Sequence, residues 1–68
     1  MKITFKWFDG RYTQQDTTEA EKVKTYKGHD IYQDAQGWLY IETLEGWQYF
    51  GTMREAKTFI NDLELTKL

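Results

Sequence analysis

The sequence predicts an α+β domain in which an antiparallel sheet of three to five strands packs against one C-terminal helix. Gly28, Gly37 and Gly46 follow one another at intervals of nine residues, and short runs rich in aromatic and β-branched residues lie between them. This spacing is typical of consecutive hairpins. After residue 52 the apolar residues recur every three or four positions, which is the period of a helix. The 68 residues form a single domain, 1–68.

The first predicted strand covers residues 2–8 (KITFKWF), where Ile3, Phe5 and Trp7 alternate with polar side chains. Alternation with a period of two and one apolar side indicates a half-buried strand. Asp9-Gly10 predicts a turn after it, and a second short strand at 11–13 is compatible with that turn.

Residues 14–22 (QQDTTEAEK) show no apolar period and favour an exposed loop. Asp16 followed by Glu19 three positions later also fits a capping box, so a short helical turn is the alternative for this segment.

Residues 23–33 contain many strand formers, and Gly28 among them marks either a bulge within one strand or a turn between two. Asp34-Ala35-Gln36-Gly37 predicts a type I turn closed by a glycine in the left-handed region. Strands are then expected at 38–42 (WLYIE) and 47–50 (WQYF), on either side of a second turn at 43–46.

The helix is predicted to begin at a capping box formed by Thr52 and Glu55, and to fray after Leu65. Its apolar stripe consists of Met53, Ala56, Phe59, Ile60 and Leu63. The expected core combines part of this stripe with the apolar strand positions, and comprises Ile3, Phe5, Trp7, Ile31, Leu39, Ile41, Phe59, Ile60 and Leu63.

One helix shields only one side of a sheet, so the other side remains uncovered. If Leu39 faces the helix, Tyr40 points away from it, and a three-residue loop pairs Tyr40 with Tyr32. The second hairpin stays open: a three-residue loop places Gln48 and Phe50 on the uncovered face, whereas a two- or four-residue loop places Trp47 and Tyr49 there.

The uncovered face is predicted to bind a protein partner, because Trp and Tyr are enriched at binding hot spots. Its candidate residues are Tyr32, Trp38, Tyr40, Trp47 and Tyr49. Self-association, for example as a homodimer, is one form of this prediction. In the alternative interpretation, residues 1–22 fold over the face and bury it as a second small core.

Catalysis is not expected. His29 is the only histidine and the chain has no cysteine, so a triad or a zinc site lacks partners. No phosphate-binding glycine loop is present. No cofactor, metal or small-molecule ligand is therefore predicted. The absence of cysteine, of a signal peptide and of a long apolar run favours a cytoplasmic protein without membrane contact.

Nucleic-acid binding is the alternative function. Lys22, Lys24, Tyr26 and Lys27 combine basic and aromatic side chains in one strand region, and Lys22 and Lys24 share a face if the strand is regular. The formal charge of -2 argues against it. Lysine also occurs on edge strands merely to prevent sheet-to-sheet pairing.

About half of the chain, YKGHDIYQDAQGWLYIETLEGWQYFGTMREAKTFIND, resembles a pattern found in small phage and prophage open reading frames. The resemblance implies a small accessory or inhibitory protein that acts in the host cytoplasm. The order of three strands and a helix is also similar to the arm-type DNA-binding domain of tyrosine-recombinase integrases, which reads DNA with a basic sheet. Glu42, Glu45 and Gln48 depart from that basic pattern.

Overall fold

The computed structural model describes residues 1–66, without the side chain of Thr66. It confirms the α+β fold, with five strands followed by one helix. The elements are β1 (Lys2–Asp9), β2 (Tyr12–Tyr26), β3 (His29–Asp34), β4 (Leu39–Thr43), β5 (Gly46–Phe50) and α1 (Met53–Thr66). Because each connection is short, every strand is the antiparallel neighbour of the next one along the chain.

The sheet closes into a barrel because its two outer strands also meet. β1 and β5 pair in parallel through one bridge, between Phe5 and Trp47. This seam brings the N-terminal strand next to the strand that precedes the helix.

Residues 14–22 belong to β2, so the predictions of a loop or a helical turn there are wrong. β2 is 15 residues long, and its first half pairs with β1. Ile3 lies opposite Thr18, and Trp7 lies opposite Gln14. Backbone hydrogen bonds to β1 therefore hold this polar segment extended, although its side chains carry little strand preference.

Gly28 lies in a turn between β2 and β3 and not in a bulge. Lys27 and Gly28 have φ values of 50° and 82°, and two successive positive φ values are typical of a two-residue hairpin turn. The bulge falls at Val23 instead, where the register shifts between Lys22 and Lys24.

Lys22 and Lys24 were predicted to share a face if the strand is regular, and the bulge between them makes it irregular. Lys22 lies opposite Tyr32, whereas Lys24 lies opposite Ile31. Paired residues point to the same side of a sheet and successive residues point to opposite sides. The two lysines therefore lie on opposite faces.

The two remaining hairpins follow the glycine pattern. In the first, the Gly37 N–H donates to the Asp34 carbonyl over 3.1 Å, and Gly37 has a φ of 96°. Tyr32 pairs with Tyr40 as predicted. The second hairpin has a two-residue loop, because Thr43 pairs with Gly46. This register places the side chains of Trp47 and Tyr49 on the same side of the sheet as Tyr40.

Two apolar clusters lie on opposite sides of the sheet. The cluster between the sheet and α1 contains Ile31, Leu39, Ile41, Ala56 and Ile60. The second cluster contains Ile3, Ala20 and Tyr40, with Phe5, Tyr32 and Trp47 packed against it. Of the predicted core, Ile3, Ile31, Leu39, Ile41 and Ile60 are buried, and Phe5, Trp7, Phe59 and Leu63 are partly buried. Ala20, Tyr40 and Ala56 are buried as well, although they are not among the core positions that the sequence predicts.

The helix begins at the predicted capping residues. The Glu55 N–H donates to Thr52 Oγ1, and Glu55 Oε2 accepts from the Gly51 N–H, both over 3.2 Å. Glu55 thus reaches one residue beyond the usual capping-box partner.

The helix continues to Thr66, and the predicted fraying after Leu65 falls mainly on positions outside the described residues. Within residues 1–66 no helix has the length and apolar character to cross a membrane.

Candidate functional site

The five aromatic residues predicted to form a binding face lie together on the side of the sheet away from α1, but they differ in exposure. Trp38 and Tyr49 remain 43% and 41% exposed, whereas Tyr40 is only 2% exposed. Tyr32 and Trp47 are partly buried and pack edge to face, with ring centroids 5.4 Å apart. The expectation that Tyr40 is exposed is therefore wrong.

β1 is the reason for this burial. The Phe5 ring lies 5.2 Å from the Tyr40 ring and 5.6 Å from the Tyr49 ring, measured between centroids. The N-terminal strand thus covers the centre of the face, as the alternative interpretation expected, and leaves Trp38 and Tyr49 at its margin. These two rings contact each other edge to face at 5.8 Å.

A cavity of about 610 Å³ opens at this margin, and we call it the aromatic cleft. Its aromatic lining consists of Phe5, Trp7, Trp38, Tyr40 and Tyr49. Its charged lining is entirely acidic and consists of Asp16, Glu19 and Asp34. Thr17, Thr18, Ala35 and Gln36 complete it.

The pairing of β1 with β2 positions one wall of the cleft. Phe5 lies opposite Asp16, and Trp7 lies opposite Gln14, so all four side chains point to the same side. Trp7 Nε1 donates a hydrogen bond to Asp16 Oδ2 over 2.5 Å. This bond fixes the indole and the carboxylate beside each other.

Asp34 organises the opposite wall. Its Oδ1 accepts from the N–H groups of Gln36 and Trp38 over 2.9 and 3.0 Å. Its Oδ2 accepts from the Tyr40 hydroxyl over 2.7 Å and from Thr18 Oγ1 over 3.5 Å. One carboxylate therefore joins the turn that carries Trp38 to the buried Tyr40 and to β2.

The same contacts shift two pKa values. Burial alone would raise the pKa of Asp34, but hydrogen bonds from the Tyr40 hydroxyl and from the Trp38 and Gln36 amides lower it below its ordinary value. Burial, followed by the hydrogen bond to Asp34, raises the pKa of Tyr40. Asp34 is therefore ionised and Tyr40 is protonated at neutral pH.

The cleft carries uncompensated negative charge. Glu19 Oε1 accepts from the Met1 ammonium over 2.7 Å, and the hydrogen bond and charge of that ammonium lower the pKa of Glu19. Asp16 and Asp34 form no ion pair with any cation in residues 1–66. Two carboxylates at the cleft thus remain without a positive counterpart in the same part of the chain.

The residues of the predicted nucleic-acid site do not form one stacking surface. Besides the separation of Lys22 from Lys24, the Tyr26 ring already has Lys27 Nζ and Lys57 Nζ at 5.6 and 5.4 Å from its centroid. Lys27 Nζ also donates to Asn61 Oδ1 over 2.5 Å. The aromatic face that would stack on a base is thus occupied by cations of this chain.

His29 lies near the C-terminal half of the helix, where its Nε2 is 2.9 Å from Glu64 Oε1. It lines a second cavity of about 830 Å³ between α1 and the β4–β5 turn, together with Leu44, Phe59 and Leu63. In the part of the chain that the structure describes, no three His, Asp or Glu side chains are grouped to hold a metal ion.

Trp7 and Asp16 belong to the site although the sequence does not predict them there. The period of β1 predicts a core position for Trp7, and the polar segment 14–22 predicts a loop or a helix start for Asp16. The turn at Asp9-Gly10 held the relevant signal, because extending the hairpin from it places Asp16 opposite Phe5.

Comparison of the chain with protein-family models, with curated proteins and with solved structures found no match.

Proposed function

We propose that this protein is a non-catalytic interaction domain that binds a partner protein through the aromatic cleft. The observation that supports this proposal is the pair Trp38 and Tyr49, which keep 43% and 41% of their surface exposed beside the cavity. Exposed Trp and Tyr side chains next to a concave surface are the usual anchors of protein interfaces.

The surroundings of the two aromatic residues favour a preformed site. Trp38 follows a turn fixed by three hydrogen bonds to Asp34, and Tyr49 is held between Phe5 and Trp38. Anchors that are already ordered lose little conformational freedom when a partner binds. The resemblance to phage reading frames supports an accessory or inhibitory role in a host cytoplasm as the biological form of this proposal.

The test compares partner capture by cleft variants with capture by a matched control. Trp38→Ser and Tyr49→Ser remove the anchors, whereas Phe8→Ser removes a 72% exposed aromatic side chain that does not line the cleft. Proteins captured from a native lysate of the source cells are identified, purified and titrated against each variant by calorimetry.

We expect each cleft substitution to weaken binding roughly thirtyfold or more, because a hot-spot truncation costs about 2 kcal/mol or more. Phe8→Ser should bind like the original chain. Equal affinities for all variants would refute the proposal. Sedimentation equilibrium of the same variants identifies a second copy as the partner if the original chain and Phe8→Ser form a dimer and the two cleft variants do not.

A further inference from the structure

Half of β2 has a free edge. Over Tyr12–Glu19 this strand pairs with β1, and over Ala20–Tyr26 it pairs with β3. On the side away from β1, the segment Tyr12–Glu19 has no neighbouring strand within residues 1–66. A free strand edge presents unpaired N–H and C=O groups that can receive another strand.

The direction of the backbone groups along this edge follows from one hydrogen-bonded pair. The Ala20 N–H donates to the Met1 carbonyl over 2.9 Å, and the Met1 ammonium donates to the Ala20 carbonyl over 3.0 Å. Backbone groups alternate in direction along a strand. Asp16 and other even-numbered residues of this segment therefore bond to β1, whereas Thr13, Gln15 and Thr17 direct their N–H and C=O groups to the free edge.

The free edge borders the aromatic cleft. Asp16, Thr17 and Glu19 line one wall of the cleft, and the turn that leads to Trp38 lines the other. A strand added to this edge would thus lie along the cleft, and every second side chain of that strand would point into it.

We propose that an extended segment of the partner protein pairs with the Tyr12–Glu19 edge of β2 and places an Arg or Lys side chain in the aromatic cleft. This inference rests on the proposed function and specifies its partner. Main-chain pairing of this kind supplies affinity, while pockets for alternate side chains supply specificity.

Charge and ring chemistry argue for a cation. Asp16 and Asp34 lack a positive counterpart in residues 1–66, and a partner's guanidinium or ammonium group would provide one. Trp7, Trp38 and Tyr49 add aromatic faces within the same cavity, and these attract cations. A cationic side chain thus matches both kinds of lining residue.

The same charges disfavour a second copy of this chain as the added strand. An inward-pointing charge is a known protection of edge strands against unwanted pairing. A second Tyr12–Glu19 edge would bring another Asp16 and its negative charge towards the first. A basic side chain on the partner strand would be attracted to the Asp16 carboxylate. A neutral side chain would leave that carboxylate unpaired, and an acidic one would be repelled by it. Asp16 therefore favours a basic partner strand over the others.

The first experiment uses a probe peptide of about seven residues, a length that matches the free edge. Thr and Val alternate along it, Arg stands at its centre, and both ends are blocked. Matched peptides carry citrulline or Glu at the central position. Each is titrated into the ¹⁵N-labelled full chain at low salt. We expect shifted amide resonances and slowed hydrogen exchange at Thr13, Gln15 and Thr17, with affinity for the Arg peptide roughly tenfold above that for the citrulline peptide.

Two pairs of variants separate edge pairing from charge recognition. Gln15→Pro removes an N–H that faces the free edge and leaves the bonds to β1 intact, whereas Gln15→Ala keeps that N–H. We expect only the proline variant to lose the Arg peptide. Asp16→Asn removes one of the two unpaired carboxylates and should reduce the preference for the Arg peptide over the citrulline peptide. Thr17→Ser leaves both carboxylates in place and should not change that preference.

Each result decides the inference. Absence of Arg-peptide binding, or shifts that leave Thr13, Gln15 and Thr17 unchanged, overturns the strand pairing, and equal affinity for the Arg and Glu peptides overturns the cation. If Gln15→Pro does not fold, the amide hydrogen exchange of the original chain with the Arg peptide still tests the strand pairing. Failure here leaves the proposed function standing if Trp38→Ser and Tyr49→Ser still weaken partner binding, whereas equal affinities for those variants and the original chain refute the proposed function itself.

Discussion

At the scale of single residues, the Asp34 carboxylate forms hydrogen bonds both within its own turn and to a residue of the next strand, and the neighbouring sequence predicts only the first kind. Asp at the first position of a type I turn is expected to accept from nearby amides, and it does so from Gln36 and Trp38. Its bond to the Tyr40 hydroxyl depends on the pairing of β3 with β4 and on the burial of Tyr40 under β1. That second role follows from tertiary structure, so local sequence rules do not predict it.

The lowered pKa of Asp34 predicts an acid-sensitive contribution to stability. The unfolded chain protonates this carboxyl near its ordinary value of 3.8, whereas the folded chain does so at lower pH. Between these two values the unfolded state binds more protons, so stability falls as the pH decreases through them. Urea unfolding of the original chain and of Asp34→Asn, measured from about pH 6 to pH 2, should show a smaller acid decrease in the variant.

Tyr40→Phe provides the control for this prediction. It removes the hydroxyl that lowers the pKa of Asp34, so the folded-state pKa should move towards the unfolded one and the acid decrease in stability should become smaller. If the original chain and Asp34→Asn lose stability in parallel across the acid range, Asp34 is not the group responsible.

At the scale of elements, the helix followed from the sequence and β2 did not. Cap, apolar period and turn residues agree over 52–63, and each is a local signal. The segment 14–22 carries no such signal, because its extended form depends on pairing with β1 and not on its own side chains. The length of the second turn is undetermined by the sequence for a related reason: loops of two, three or four residues fit the same residues, and only the fold selects one.

The helix cap predicts a specific loss of stability. Thr52→Ala removes the acceptor of the Glu55 N–H, and the free energy of unfolding should decrease by about 0.5–2 kcal/mol. Thr58→Ala is the matched control, because Thr58 lies at an exposed interior position of the helix, where Ala is the better helix former. Urea unfolding followed by circular dichroism compares the two, and an equal loss in both variants would contradict the capping role.

At the scale of the whole molecule, a single sheet separates two apolar clusters. The sequence predicted the cluster under the helix almost completely, since helical and strand periods both point to it. It left the second cluster as an alternative, because the closure of the sheet through Phe5 and Trp47 joins segments far apart in the chain. The extent of the aromatic cleft depends on the same closure, so only part of it was predictable.

The two clusters should unfold together. Ile3→Ala in one and Ile60→Ala in the other should each cost about 2–5 kcal/mol, because both side chains are fully buried. All three tryptophans lie on the side of the second cluster, so their fluorescence reports on it, whereas far-ultraviolet circular dichroism includes the helix. In either variant the two signals should give the same urea midpoint. Separate midpoints would show that the clusters are independent units.

The succession of hairpins also affects how the chain reaches this structure. Within residues 1–66, four of the five strand pairings join segments that follow one another along the chain, and only the bridge between Phe5 and Trp47 joins the first strand to the last. Contacts between near neighbours require little loop-closure entropy. Most of the sheet can therefore form through local contacts. The pairing of β1 with β5 has the largest sequence separation, and we expect it to be the slowest step of folding.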